Sequence, residues 1–184
     1  MTSSVPTEGS LQIRVELRDV EPPVWRRILV PDGITMADLA EILLFAIGWG
    51  NVHPHLYEVG DEIYGAADDE AEDDEIDESS VIVSDALGRH DLFFFEYDFG
   101  DGWDHDVVIE ERSPSTVEFA HCLGGQNACP PEDVGGPGGY EDFLEAIADP
   151  GHEGHERYLE WVGGSFDPFQ FDIDAVNAEL RLLG

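Results

Sequence analysis

The chain has 184 residues, of which 42% are hydrophobic, and its 42 acidic residues outnumber eight basic ones to give a formal net charge of −34. This length and this composition are those of one folded domain and exclude a disordered chain. All eight basic residues are arginines and they form no basic run, so direct nucleic-acid binding is disfavoured.

The acidic residues are spread along the whole chain, and apolar periodicity persists between them. This pattern predicts a solvated acidic surface adapted to a cytoplasm rich in salt, where molar salt screens charge over about 3 Å. Residues 1–6 lack the charged start and the apolar run of a signal peptide, and no apolar stretch approaches the length of a membrane span. We therefore expect a halophilic, cytoplasmic protein without a membrane partner.

The first third of the sequence predicts two strands followed by a helix. Residues 1–9 are expected to be disordered, after which apolar and polar residues alternate over 11–17 as in a half-buried strand. Residues 24–30 predict a second strand. From residue 36 to residue 47 the apolar positions follow a helical period, which Gly48 ends.

The middle of the chain predicts further strands around an acidic loop. A third strand is expected at 55–59, with an extension to residue 64 left open. Nine of the eleven residues from 68 to 78 are acidic, which predicts a solvated loop. Residues 81–83 are predicted to form a short strand and residues 85–89 a turn.

A hairpin and a helical region complete the predicted architecture. Strands are expected on both sides of the glycine turn at 100–102, and residues 122–140 are predicted to be irregular because they are rich in glycine and proline. Helices are predicted at 140–148, 152–162 and 173–183. The expected fold is α+β: a mixed β-sheet packed on one main helix, α/β-roll-like, with a helical C-terminal third. Residues 10–184 would form a single domain.

Several local phrases occur together in a fixed order. They are His-Pro-His-Leu-Tyr-Glu at 53–58, Tyr-Asp-Phe-Gly-Asp-Gly-Trp-Asp-His at 97–105, Cys-Pro-Pro-Glu-Asp-Val-Gly-Gly at 129–136, Gly139-Tyr140, Trp161 and Phe-Asp-Pro at 166–168. This string resembles the plasmid pRiA4b ORF-three-like family, also known as the insertion-element passenger TnpR family, over residues 10–182. The resemblance implies an α/β-roll domain associated with mobile elements. It implies no catalytic residues, so none are carried over.

One set of side chains could bind a divalent metal ion, with zinc as the first candidate. Imidazole, carboxylate and thiolate groups together suit zinc or another first-row metal. Six residues separate the two cysteines, compared with two to four in a standard zinc finger. The candidate ligands are His53, His55, Asp98, Asp101, His105, Cys122 and Cys129.

Structural roles are an alternative for each of these residues. Asp98 and Asp101 would accept backbone N–H groups in the hairpin turn, and His105 would be a core histidine. Cys122 and Cys129 would be small buried hydrophobic residues, since free cysteines are mostly buried. A nucleophilic Cys129 is disfavoured because its near neighbours are acids, which oppose thiolate formation.

These observations leave three functions open. The sequence favours a non-enzymatic binding module that contacts a protein partner through its aromatic and glycine-rich C-terminal surface. The first alternative is a metal-dependent hydrolase that uses the His/Asp/Cys cluster. The second is a nucleic-acid-associated accessory protein of mobile elements, which would need Arg14, Arg18, Arg26 and Arg27 on one face. The sequence leaves catalytic residues and oligomeric state unassigned and predicts no organic cofactor.

Overall fold

The computed structural model of the chain describes residues 9–67 and 75–183. In these ranges eight strands form one sheet: β1 (Ser10–Leu17), β2 (Trp25–Pro31), β3 (His55–Val59), β4 (Glu62–Gly65), β5 (Ile76–Asp77), β6 (Leu92–Tyr97), β7 (Trp103–Ser113) and β8 (His121–Gln126). The helices are α1 (Met36–Ile47), α2 (Val83–Leu87), α3 (Gly136–Ala148), α4 (His155–Trp161), α5 (Ile173–Leu180) and a short 3-10 helix at Glu78–Ser80.

The strands lie in the order β5-β4-β3-β6-β7-β1-β2-β8. Neighbouring strands are antiparallel except β4 and β5, which are parallel. Side chains of a strand alternate between the two faces of a sheet. In β1 the residues that point into the hydrophobic core are Leu11, Ile13, Val15 and Leu17.

Helix α1 lies across the core face of the sheet. Thr35 caps its first turn, where Thr35 Oγ1 accepts the Asp38 N–H and Asp38 Oδ2 accepts the Thr35 N–H. Gly48 ends the helix at a φ of 132°, which only glycine adopts readily. The buried face of α1 contributes Met36, Leu39, Ala40, Leu43, Leu44 and Ile47 to the core.

The structure confirms the predicted α+β class, with a mixed sheet, one main helix and a C-terminal third that contains three helices. The strand, strand, helix opening also occurs where the apolar period placed it. The hairpin of β6 and β7 turns at residues 98–102, around the predicted glycines.

Two predictions in the middle of the chain were wrong. Residues 81–83 do not form a strand of the sheet: Ile82 makes an isolated bridge to Thr35, and α2 starts at Val83 and takes up most of the predicted turn. Val83 is buried in the core, so its β-branched side chain serves helix packing there. The third strand does not continue to residue 64, because the chain reverses at Gly60 and returns as β4.

The region predicted to be irregular is partly regular. Residues 121–126 form the edge strand β8, and α3 begins inside the glycine run at Gly136, before its predicted start. Gly136 has a φ of 70° and lies against the backbone oxygen of Asp101, where a side chain would not fit. Close approach therefore explains a glycine that local helix propensity disfavours.

The predicted disordered start lies almost entirely outside the described residues, as does 68–74 of the predicted acidic loop. The described end of that loop contains β5, and Glu78 is buried. Among the described helices, none combines the length and hydropathy that crossing a membrane requires.

Candidate functional site

Three loops meet at one end of the sheet and form the candidate site. His55 in β3 pairs with Tyr97 in β6, so the residues just before β3 and just after β6 lie beyond the same end of the pair. The Asp98 N–H donates to the Pro54 carbonyl over 2.9 Å and joins these two loops. The third loop precedes α3 and is attached through Asp101, whose Oδ2 accepts the Gly135 N–H over 3.0 Å.

His53 stands at the centre of the site. Its Nε2 lies 3.1 Å from Asp133 Oδ1, 3.7 Å from Asp98 Oδ2 and 4.0 Å from Glu132 Oε2. One ligand atom from each of His53, Asp98 and Asp133 lies within 4.8 Å of the other two. Within the described chain, His53 Nε2 is buried and makes no hydrogen bond. An imidazole nitrogen thus faces three carboxylates with its hydrogen-bonding capacity unused.

The carboxylates are held so that an oxygen stays free for the centre of the site. Asp98 Oδ1 accepts the N–H groups of Gly100 and Asp101 over 3.0 and 3.3 Å, while its Oδ2 faces His53. Asp98 adopts a φ of 56°, in the left-handed region that aspartate tolerates better than most residues. The predicted turn role of Asp98 is therefore compatible with a second role at its other oxygen.

Glu132 is oriented by groups from two neighbouring elements. Its Oε1 accepts the Gly50 N–H over 3.1 Å and the Tyr97 hydroxyl over 3.2 Å. The Tyr97 hydroxyl in turn accepts the Val52 N–H. Burial, with a further contribution from Glu132, raises the pKa of Tyr97 to about 12, so its hydroxyl stays protonated as a donor at neutral pH.

Asp133 is the most accessible member of the group. It is 72% exposed and adopts a φ of 58°. A site with one exposed ligand opens to solvent. A histidine with two or three carboxylates suits a first-row divalent ion, and three protein ligands leave coordination positions for water or a substrate.

Of the seven predicted ligands, the structure brings His53 and Asp98 together and places the other five elsewhere. His55 Nε2 lies 3.1 Å from both oxygens of Glu78, and Asp101 Oδ2 accepts the Gly135 N–H. His53 precedes β3 and His55 lies in it, so the two histidines do not share one face of a strand. The predicted metal site is thus reduced to two of its members, joined by two acids that the prediction did not include.

His105 is part of the core, as its structural alternative proposed. Its Nδ1 lies 3.0 Å from the Phe95 carbonyl oxygen, and its ring meets the edge of Trp49. Burial lowers the pKa of His105 to about 4, so its ring is neutral at physiological pH.

The two cysteines lie in separate places inside the protein. The backbone of Cys122 is bonded to Asn177, and Cys129 packs against Gly48. Burial raises the pKa of Cys122 and raises that of Cys129 well above its usual value. Both shifts oppose thiolate formation, which gives a further argument against a nucleophilic Cys129.

The candidate site predicted from the sequence did not include Glu132 and Asp133. They belong to the Cys-Pro-Pro-Glu-Asp phrase, which sequence reasoning treated as a thiol loop. The signal that could have found them is the pair of adjacent acids before a glycine run, a position where the chain must approach another segment closely. Their spatial partner His53 is far away in the sequence.

The arginines do not form the set required for nucleic-acid binding. Arg14, Arg18 and Arg27 lie on sheet strands or next to them, where each forms an ion pair with an acidic residue. The side chain of Arg26 points to the opposite, buried face of the sheet. The positive charge on the sheet is thus neutralised within the protein.

The C-terminal third exposes some large hydrophobic side chains, as a partner surface would require. Phe169 and Trp161 are exposed, although one edge of the Trp161 ring contacts Phe143 and Tyr158. A protein partner at this surface stays a prediction.

Comparisons with known proteins give matches that cover most of the chain. The sequence profile of the family described as "Plasmid pRiA4b ORF-3-like protein" matches residues 9–175. The chain is 42% identical to "Uncharacterized protein y4hQ" of Sinorhizobium fredii over 170 residues, which cover 91% of this chain and 86% of that protein. The crystal structure of MM3350, a "Protein of Unknown Function" from Methanosarcina mazei Go1, is similar with a TM-score of 0.83 and 32% identity, and the match covers 91% of this chain and 97% of that one.

Proposed function

Since the chain belongs to the plasmid pRiA4b ORF-3-like family, and since the names of the two similar proteins state no activity, we propose its function from the site around His53. The site binds one first-row divalent metal ion, with zinc as the first candidate, and the bound ion serves hydrolysis. His53, Asp98 and Asp133 are the ligands. Glu132 completes the site beside them.

The observation that carries this proposal is the unused Nε2 of His53. A buried polar atom without a partner is costly, on the order of 1–3 kcal/mol. Among the described residues Trp103, His105 and Tyr140 also have one such atom, but only the atom of His53 forms part of a group of potential metal ligands. Here the atom faces carboxylate oxygens of Asp98 and Asp133, and ligand atoms of the three residues all lie within 4.8 Å of one another, close enough to bind one ion together. The competing interpretation is that His53 is an imidazolium paired with the acids. Only the metal-site interpretation predicts that the purified protein binds a metal ion here.

In the proposed reaction, some residues of the site would bind the ion and one would accept a proton. His53, Asp98 and Asp133 hold and orient the ion, which when bound would supply Lewis acidity to polarise a carbonyl group and make water more nucleophilic. Glu132 accepts the Gly50 N–H at Oε1 and the Tyr97 hydroxyl at both oxygens, and its Oε2 lies 4.0 Å from His53 Nε2. An oriented carboxylate in that position can accept a proton from attacking water.

The test is metal binding by the purified protein. We expect elemental analysis and calorimetric titration with Zn²⁺, Mn²⁺ and Co²⁺ to give about one tightly bound equivalent in the wild type, as a single site requires. His53→Ala and Asp133→Asn should lose that binding. His121→Ala and Asp104→Asn replace exposed residues of the same types away from the site and should retain it.

Equal metal content in all five proteins would show that the acidic surface alone attracts cations, and the proposal would fail. Absence of binding in the wild type would support the imidazolium interpretation. If the metal binds but esters and amides are not hydrolysed, the chain is a non-enzymatic metal-binding module. That outcome would agree only with the non-enzymatic character of the function favoured by the sequence, which placed the binding surface in the C-terminal third.

A further inference from the structure

We infer, on the basis of the proposed metal site, that the ligand of that site is an uncharged molecule with an apolar body, such as a neutral ester or amide. Phosphate esters are rejected. Two independent features of the site lead to this inference: its charge and its immediate neighbours.

The charge of the loaded site is negative. Asp98, Glu132 and Asp133 supply three carboxylates within reach of His53, and a doubly charged ion leaves an excess of about one negative charge. Sites that transfer phosphoryl groups surround the phosphate with cations, because the charge on its oxygens must be neutralised.

In the part of the chain that the structure describes, no such cation contacts His53. The chain contains no lysine, and among the described residues no arginine forms an ion pair or hydrogen bond with His53 or with the three carboxylates. The guanidinium groups of Arg14, Arg18 and Arg27 form ion pairs with other acidic residues. An anionic substrate would therefore meet the acids without compensation, while a neutral ligand would not.

Two exposed hydrophobic residues adjoin the site. Val52 is 69% exposed and immediately precedes His53, while Phe99 is 50% exposed and immediately follows Asp98. The Val52 N–H donates to the Tyr97 hydroxyl, which donates to Glu132, and Phe99 follows Asp98 in the chain, so the backbones of both residues lie next to the site. Ligand sites commonly combine a few polar groups with an apolar wall, and Val52 and Phe99 can form that wall.

The experiment uses the full-length protein loaded with Co²⁺, whose visible spectrum reports on ligands at the metal. The probes are imidazole, 4-phenylimidazole and inorganic phosphate. We expect 4-phenylimidazole to bind more tightly than imidazole by on the order of tenfold, because its phenyl ring is removed from water. Phosphate at the same concentrations should leave the spectrum unchanged.

A double variant, Val52→Ser with Phe99→Ser, tests the apolar wall. It should bring the affinities of the two imidazoles close together while cobalt binding stays as in the wild type. Leu92→Ser is the matched control, since Leu92 is equally exposed but lies at the opposite end of β6, and it should keep the difference.

The outcomes separate the two proposals. Failure to load cobalt would overturn the metal site itself and this inference with it. Normal loading followed by phosphate binding as tight as that of 4-phenylimidazole would overturn the inference alone. So would normal loading with an unchanged preference for 4-phenylimidazole in the double variant.

Discussion

The guanidinium of Arg26 donates a hydrogen bond to the backbone carbonyl of Ala46 over 2.9 Å, in the last turn of α1. Its other donors reach the carbonyls of Trp25, Ile47, Gln126 and Asn127. One buried side chain thus connects the end of the main helix to the edge strand β8 and the loop after it. Within the described structure it does so without an ion pair, and burial lowers the pKa of Arg26.

We expect Arg26→Met to lower the free energy of unfolding by about 3 kcal/mol, because several buried carbonyls lose their donor at once. Urea denaturation at neutral pH measures the change. Arg27→Met is the control: Arg27 is half-exposed and paired with Glu110, so its replacement should cost under about 1 kcal/mol. Equal losses in the two variants would contradict the role given to Arg26.

His105 should make the stability depend on pH. Its pKa is about 4 in the folded protein and 6.5 in the unfolded chain, so the unfolded state binds more protons between these values. The stabilisation due to neutral His105 is complete above pH 6.5 and decreases as the pH falls towards 4, by roughly 3 kcal/mol in total.

His105→Asn removes this titrating group, while the asparagine amide takes the place of Nδ1 and can still donate to the Phe95 carbonyl. The wild type should therefore lose more stability than this variant between pH 7 and pH 4.5 when both are followed by urea denaturation. Parallel curves for the two proteins would show that the acid sensitivity has another source.

Asn177 docks α5 onto the sheet. Its Oδ1 accepts the Cys122 N–H over 2.8 Å, and its Nδ2 donates to the Cys122 carbonyl over 3.0 Å. Asn177→Ala leaves both buried groups without a partner, so we expect a loss of about 2–3 kcal/mol in the free energy of unfolding. Glu179→Ala, an exposed position on the same helix, should change it by less than about 0.5 kcal/mol. A small effect of Asn177→Ala would mean that water replaces the amide.

We propose that the acidic surface is an adaptation to salt, which predicts greater stability at high ionic strength. Raising KCl from about 0.1 M to about 2 M shortens the screening length from about 10 Å to below 3 Å and reduces repulsion among the 42 acids. The thermal midpoint should rise by more than about 10 °C, as for a gain of a few kcal/mol. A midpoint that stays constant or falls over this range would contradict the adaptation.

Parts of this structure that depend on local periodicity could be predicted from the sequence. The alternation in β1 and the apolar face of α1 placed those elements, since each pattern fits one kind of backbone. The start of α3 could not be predicted this way, because Gly136 is selected by its contact with Asp101 and has poor helix propensity.

The candidate site was only partly predictable for a similar reason. His53 and Asp98 precede and follow two predicted strands, but the pairing of these strands, which brings the two residues together, is seen only in the structure. Glu132 and Asp133 reach them through a long-range contact, for which one sequence contains no periodic signal. For His105 the sequence left a ligand role and a core role open, and its burial makes it a core residue.

Asn177 also bears on how this protein avoids joining its neighbours. β8 is an edge strand, and the backbone groups of Cys122 that face away from β2 are those through which a strand of another molecule would add to the sheet. With both groups occupied by one amide side chain, that route to fibrous aggregates is closed at Cys122. The last helix therefore protects the solubility of the folded chain as well as its stability.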